Sequence, residues 1–296
     1  MGYSIVVHGG AGDWEAFVKA QVLDGLRSAV ECAARILSGG APALDAVAAA
    51  VVALEDNPLF NAGTGSVLNL DGKVEMDAAV MTGHDRACGA VAALQRVRNP
   101  ILVARRVMQA TPHVLLAGEG ALRFARAQGF EDYDPVTPSA RQQYEQRAGR
   151  HPPGPPGTVG AVALDRAGRL AAATSTGGRF LKLPGRVGDS PIPGAGTYAT
   201  AVAAASATGH GEWLLRRLAT RSVCDLAAGG APPQQAVERT LEELASVSCR
   251  EAGLIAVARD GASGLAHGTP AMPHAWLCEG DAYMTARLAC PIAAPS

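Results

Sequence analysis

Short apolar runs divided by glycine- and proline-rich turns make up most of the chain, and only some of them repeat at the three-and-four spacing of a helix. Residues 3–7 read as a strand that runs into His8-Gly9-Gly10-Ala11-Gly12, a turn that glycines allow to be tight. From 14 to 37 the apolar positions Phe17, Val18, Val22, Leu26, Ala29, Val30, Ala33 and Leu37 predict an amphipathic helix, ended by Ser38-Gly39-Gly40. A second helix, 42–54, has apolar residues nearly all round, so it should be buried on most sides. The segment 54–64 has neither period and reads as a loop. Residues 66–70 and 73–81 predict a hairpin around Asp71-Gly72, 87–94 a further strand, and 99–108 and 118–128 two helices. Downstream, 158–165 and 169–176 form a second hairpin around Arg166-Ala167-Gly168. Strands at 194–198 and 202–208 follow, then helices at 212–228 and 233–246, then strands at 254–258 and 265–267. This order suits a mixed α/β layered fold, as two packed sheets with helices outside them would give.

At 296 residues with 48% hydrophobic content, the chain can bury a sizeable core. A net charge of −1 with no basic run argues against nucleic acid or an anionic membrane as a partner and leaves small neutral or zwitterionic substrates open. No secretory signal or apolar stretch of about 20 residues is visible, so a soluble, cytoplasmic protein is expected. The six cysteines, Cys32, Cys88, Cys224, Cys249, Cys278 and Cys290, form no CxxC pair and read as reduced thiols. One stretch differs in composition: residues 134–157, rich in Pro, Arg, Gln and Gly and ending in PPGPPG, should be mobile and exposed.

That stretch ends at Gly157, and the strand after it begins with Thr158. Were the Gly157–Thr158 bond cut, Thr158 would carry a hydroxyl and a free α-amine together. An α-amine has a pKa of roughly 7.7–8.0, so near neutral pH it can take the hydroxyl proton without a histidine. His8 is therefore read as buried packing rather than as a base, and His113 is given no chemistry. By itself, Gly-Thr before a strand is common and reads first as a plain turn.

The ordered motifs change that reading. IVVHGGAG, NPLFNAGTGSVLN, VEMDAAVMTG, TVGAVALD, TSTGG, LPGRVGDSP, GAGTYA and ATGHGE cover most of the chain and resemble the plant-type L-asparaginase and isoaspartyl peptidase family of N-terminal-nucleophile hydrolases. The resemblance implies an α+β fold, a four-layer αββα sandwich formed by one domain over 1–296. It implies self-cleavage into 1–157 and 158–296, with 134–157 as a pro-segment, and a homodimer of cleaved protomers. It makes Thr158 the nucleophile, with Thr176 facing it and Asn61 steadying it, and the Thr208 hydroxyl and Gly209 N–H as the oxyanion hole. Arg186 and Asp189 would clamp the substrate's α-carboxylate and α-amine, with Gly211 receiving the amine, while Gly9 and Gly10 support the scissile bond. No cofactor is expected for catalysis. A structural sodium ion is implied, held by backbone carbonyls of Leu54, Glu55, Asn57, Phe60, Ala62 and Thr64.

The expected reaction is hydrolysis of L-asparagine, of β-aspartyl dipeptides, or of both, through the side-chain carbonyl. A glycosylasparaginase-like amidase and an uncleaved binding or structural relative are the alternatives. The chain departs from the family pattern on the leaving-group side, where Phe180-Leu181 follow TSTGGR in place of the usual polar residues.

Overall fold

The computed structural model describes residues 2–14, 18–147, 157–247, 249 and 251–289. Among them twelve strands form two sheets. The larger sheet has the order β12-β11-β1-β5-β6-β2-β3-β4, and the smaller the order β10-β9-β8-β7. In the large sheet, β1 (Ser4–His8) lies antiparallel to β5 (Thr158–Leu164), and β5 forms a hairpin with β6 (Leu170–Thr176). The strand β2 (Met76–Thr82) pairs on one side with β6 and on the other with β3 (Cys88–Leu94). In the small sheet, β8 (Ala203–Gly209) runs between β7 (Thr197–Ala199) and β9 (Ala252–Ala258), which pairs with β10 (Ser263–His267).

Strand alternation explains the layering. On β5, Val159, Ala161 and Ala163 point into a core shared with α1 (Lys19–Ser38), α2 (Ala43–Glu55) and α3 (Pro100–Ala110). Val162 and Leu164 point the other way and pack with Ile255 and Val257 of the small sheet. The far face of the small sheet, through Ala203, Ala205 and Ala207, is covered by α6 (Gly211–Arg217), α7 (Ala219–Ala228) and α8 (Pro233–Ser246). Helices, large sheet, small sheet and helices make the four-layer αββα sandwich. Most inward-facing side chains of β6 and β8 are alanine, serine or threonine, so the two sheets meet through small groups.

Several elements differ from the expected ones. Residues 66–70 form no strand. The Asp71-Gly72 turn does close, with Gly72 N donating to Asn69 O at 3.0 Å, but the first arm turns aside. Leu70 N bonds Lys182 O at 3.0 Å and Leu181 N bonds Leu68 O at 2.9 Å. The expected helix 212–228 is broken in two at Leu218, which has φ 47° and ψ 53°. The carbonyls of Gly194 and Ala195 capture the amides of Arg221 and Thr220 at 2.9 and 3.3 Å, and these contacts support a fresh helix start. Strands β4 (Leu115–Ala117), β11 (His274–Cys278) and β12 (Thr285–Arg287) have no counterpart among the expected elements; each is short or on an edge.

Helix α4 (Gly118–Ala127) lies where expected. Within the stretch expected to be mobile and exposed, Pro138–Arg147 forms helix α5, from which the Tyr144 hydroxyl donates to Leu70 O at 3.0 Å. Residues 148–156 of that stretch, like Phe17 and Cys290, lie outside the described residues. The other five cysteines are unpaired thiols. No helix among the described residues is long and apolar enough to cross a membrane.

Candidate active site

The alternation that builds the sandwich also decides where the hydroxyls go. Thr158 and Thr176 face each other in the β5–β6 register, on the side turned toward the small sheet. Both are buried. The Thr158 hydroxyl donates to Thr176 Oγ1 at 3.2 Å, and Thr176 Oγ1 donates to the Gly157 carbonyl at 3.1 Å. Gly178 N donates to Thr176 Oγ1 at 2.9 Å. Thr176 therefore accepts two hydrogen bonds and commits its single proton to the carbonyl of the Gly157–Thr158 peptide. A hydrogen bond to that oxygen draws electrons from the carbonyl carbon, the atom that an attacking Thr158 hydroxyl would reach.

Asn61 holds this turn from the opposite side. Its Nδ2 donates to Gly178 O at 2.7 Å, its Oδ1 accepts from Val67 N at 3.0 Å, and its carbonyl accepts from Gly177 N at 2.8 Å. The loop after β1 closes over the scissile bond. At Gly10, with φ 110°, a Cβ would stand 2.8 Å from Gly157 Cα and 3.1 Å from Thr158 N, so only glycine lets this loop lie so close. Gly9 is fixed beside it by its N–H to Pro273 O at 2.8 Å. Trp14 Nε1 donates to Gly10 O at 3.1 Å.

Thr208 comes from β8 of the small sheet, whose next residue is Gly209. Ala11 N donates to Thr208 Oγ1 at 3.1 Å, which fills an acceptor position and leaves the hydroxyl proton for another partner. Thr208 is thereby tied to the same loop that covers Gly157.

Arg186, Asp189 and Gly211 form a second, charged group. A Cβ on Gly211 would stand 2.7 Å from an Arg186 terminal nitrogen and 3.0 Å from Asp189 Oδ1, so the absence of a side chain keeps all three together. Gly188 N donates to Asp77 Oδ2 at 2.9 Å, and Gly185 N to Glu75 Oε2 at 2.9 Å, which pins the loop carrying the clamp to the segment at β2. Asp189 is buried, and Oδ2 has no hydrogen-bond partner among the described residues. Burial pushes its carboxyl up to about 7 despite the nearby Arg186 charge. Arg186 donates through Nε to Glu212 Oε1 at 3.0 Å, with Nη2 also 3.0 Å from that oxygen.

A neutral polar chain lies behind the threonines and is absent from the sequence-based assignment. Thr174 Oγ1 donates to Gly196 O at 3.0 Å and lies 2.8 Å from Ser206 Oγ, which is 2.9 Å from His8 Nε2. Since the Thr174 proton is committed to Gly196 O, Ser206 donates to Thr174 and His8 Nε2–H donates to Ser206. Burial drives the His8 pKa down to about 3, so the ring is neutral at working pH. The expected packing role agrees with this burial. The signal for the network was the same alternation, which puts His8, Ser206 and Thr174 on the inter-sheet face.

The loop 54–64 curls back on itself, with Thr64 N donating to Glu55 O at 2.8 Å. The carbonyls of Leu54 and Asn57 each accept a local amide, from Asn57 and Phe60. A Cβ on Gly65 would lie 2.6 Å from Pro58 O and 2.9 Å from Phe60 O, so carbonyl oxygens do converge on this loop. Oxygen donors of that kind suit a hard cation, and each carbonyl keeps a second lone pair. Glu55 reaches beneath the loop: Oε1 accepts from Ile101 N at 3.0 Å and from Ser175 Oγ at 2.6 Å, and burial raises its pKa to about 8.

The family profile described as asparaginase matches residues 1–285. A plant-type L-asparaginase of Pyrococcus abyssi is 46% identical over 297 residues, covering 94% of this chain and 97% of that protein. The isoaspartyl peptidase of Escherichia coli is 43% identical over 95% of this chain and 94% of its own length. The human isoaspartyl peptidase/L-asparaginase is 44% identical over 87% of both chains. The family match spans the strands that carry Thr158, Thr176 and Thr208 and the loop that carries Arg186 and Asp189, and the chain belongs to the asparaginase family.

Proposed function

We propose that this protein is a threonine amidohydrolase that activates itself by cutting Gly157–Thr158 and then hydrolyses L-asparagine, β-aspartyl dipeptides, or both. The observation that carries this reading is the chain of hydrogen bonds from the Thr158 hydroxyl through Thr176 to the Gly157 carbonyl. In the first step Thr158 Oγ adds to the Gly157 carbonyl carbon, the C–N bond breaks, and the hydroxyl proton ends on the departing nitrogen. Water then hydrolyses the resulting ester, which leaves a carboxylate on Gly157 and restores the Thr158 hydroxyl beside the α-amine freed in the first step.

Turnover repeats this chemistry on a substrate. The amine takes the Thr158 proton as Oγ attacks the β-carbonyl, the nitrogen leaves as ammonia or as an amino acid, and water releases aspartate. Thr208, whose proton is not needed by Ala11, and Gly209 N–H would stabilise the oxyanion. Arg186 binds the α-carboxylate and Asp189 the α-amine, since a guanidinium fork and a buried carboxylate match those two groups. The carbonyls of Leu54, Glu55, Asn57, Phe60, Ala62 and Thr64 would hold a sodium ion that stiffens the loop carrying Asn61, and the ion takes no part in the reaction.

Intact-mass spectrometry of incubated protein, paired with assays on asparagine and β-Asp-Leu, tests the reading. Two fragments, 1–157 and 158–296, together with hydrolysis of at least one substrate are expected. A single uncut species inactive on both would instead indicate a binding protein.

A further inference from the structure

We propose that Arg179, seated on His210, is the leaving-group subsite, and that it takes the free α-carboxylate of the amino acid released from a β-aspartyl dipeptide. This rests on the amidohydrolase reading above and adds which substrate class the site favours.

Position comes first. Arg179 is the third residue past Thr176 at the end of β6, directly after Gly178, whose N–H binds the Thr176 hydroxyl oxygen. His210 is the second residue past Thr208, just beyond the end of β8. The two side chains meet, with Arg179 Nη1 3.0 Å from His210 Nε2. They therefore bridge the ends of β6 and β8, the strands that carry Thr176 and Thr208, one from each sheet. A guanidinium has no acceptor, so Nε2 of His210 must accept, and its Nδ1 lies 3.0 Å from Glu212 Oε2. In the run Arg179-Phe180-Leu181 only the arginine is exposed. Phe180 is half-buried, and Leu181 is buried with its N–H committed to Leu68 O.

Charge points the same way. Glu212 is shared unequally: Oε1 sits 3.0 Å from Arg186, whereas Arg179 finds its Oε2 only at 3.9 Å. Arg179 is 55% exposed and uses one donor on His210. Four of its five N–H groups remain for another acceptor in the described structure. An arginine fork is a carboxylate receptor.

The two substrate classes differ on this side alone. Asparagine and a β-aspartyl dipeptide present the same aspartyl half to Arg186 and Asp189. Asparagine releases ammonia, which offers nothing to bind. A dipeptide releases an amino acid whose carboxylate stands two bonds from the scissile nitrogen. Two arginine forks held about one carboxylate, Arg186 at Glu212 Oε1 and Arg179 nearer Oε2, thus match the two carboxylates of one dipeptide.

The test compares β-Asp-Leu with its C-terminal amide, which differs only in that carboxylate, in wild type, Arg179→Met, Arg179→Lys and Arg179→Glu. In wild type the acid is the better substrate. Arg179→Met should lower the acid-to-amide ratio of kcat/KM about tenfold, mostly through KM, because a charged hydrogen bond is lost at a half-exposed site. Arg179→Lys should restore part of the ratio, and Arg179→Glu should invert it. A ratio unmoved by Met and Glu overturns the proposal. Wild type that hydrolyses asparagine but neither dipeptide overturns the subsite and leaves the amidohydrolase reading in place. Wild type that hydrolyses none of the three overturns both.

Discussion

The threonine cluster and the charged clamp lie in the same molecule but are finished to different degrees. Around Thr158 the polar groups are neutral and paired: Thr158 to Thr176, Thr176 to Gly157 O, Gly178 N to Thr176, and Asn61 to Gly178 O. At the clamp they are charged and only partly matched. Arg186 is paired with Glu212, and the buried Asp189 carboxyl has one oxygen without a partner among the described residues. Neutral hydrogen bonds can be fixed in advance at small cost, because no charge has to be desolvated. A buried carboxylate is costly until a counter-ion arrives. Preorganisation therefore belongs to the bond-making half of the site, and ligand dependence to the recognising half.

The most severe way to break this contrast is Thr158→Ala. It removes the hydroxyl from a cluster that has no substitute nucleophile in place, so both self-cleavage and turnover should fall to background. Mass spectrometry and a β-Asp-Leu assay read the two losses separately, and persistence of either would take Thr158 out of its role. Thr208→Val is the next in size. It keeps the shape but removes the proton that Ala11 leaves available, and kcat should drop about 10²–10³-fold with KM little changed, as for loss of one oxyanion donor. A change confined to KM would assign Thr208 to substrate binding and blur the division.

Much of the threonine half was legible in the sequence, because a period of two needs only neighbours along the strand. Once 158–165 and 169–176 read as a hairpin, Thr158 and Thr176 had to share a face, and the pairing puts them directly opposite. The clamp was legible as LPGRVGD, but its environment was not. Glu212 reaches Arg186 across 26 residues, and Arg179 meets His210 across 31, through loops whose course no local pattern records. The fold shows the same limit. Residues 66–70 carried a sound hairpin signal, yet Leu68 and Leu70 bond the backbone at 181–182 instead. Helix 212–228 had continuous helical spacing, yet Gly194 and Ala195 on a distant loop offer the carbonyls that restart it after Leu218. Local chemistry fixed which turns and faces exist; long-range hydrogen bonds decided their partners.

Asp189→Asn makes the smallest change and divides the two halves most sharply. The amide keeps the size of the carboxyl and loses the charge that attracts an ammonium, so KM should rise about 10–100-fold while self-cleavage proceeds. The pH dependence carries a definite sign. With its carboxyl raised to about 7, Asp189 is protonated in the free folded protein below that value and cannot hold an ammonium, so kcat/KM of wild type should fall as pH drops through about 7. Stability moves in the opposite direction. Because the folded state holds this proton more tightly than the unfolded chain, the contribution is fully present below the ordinary carboxyl pKa and is lost as pH rises through about 7. The side-chain amide of the variant carries no such charge, so Asp189→Asn should melt higher than wild type at pH 8 and lose most of that advantage at pH 5. Thermal melts at the two pH values, set beside KM, check both signs. A variant that melts lower at pH 8 while KM stays put would mean that Asp189 is a paired structural carboxylate, and the recognising half of the site would have to be sought elsewhere.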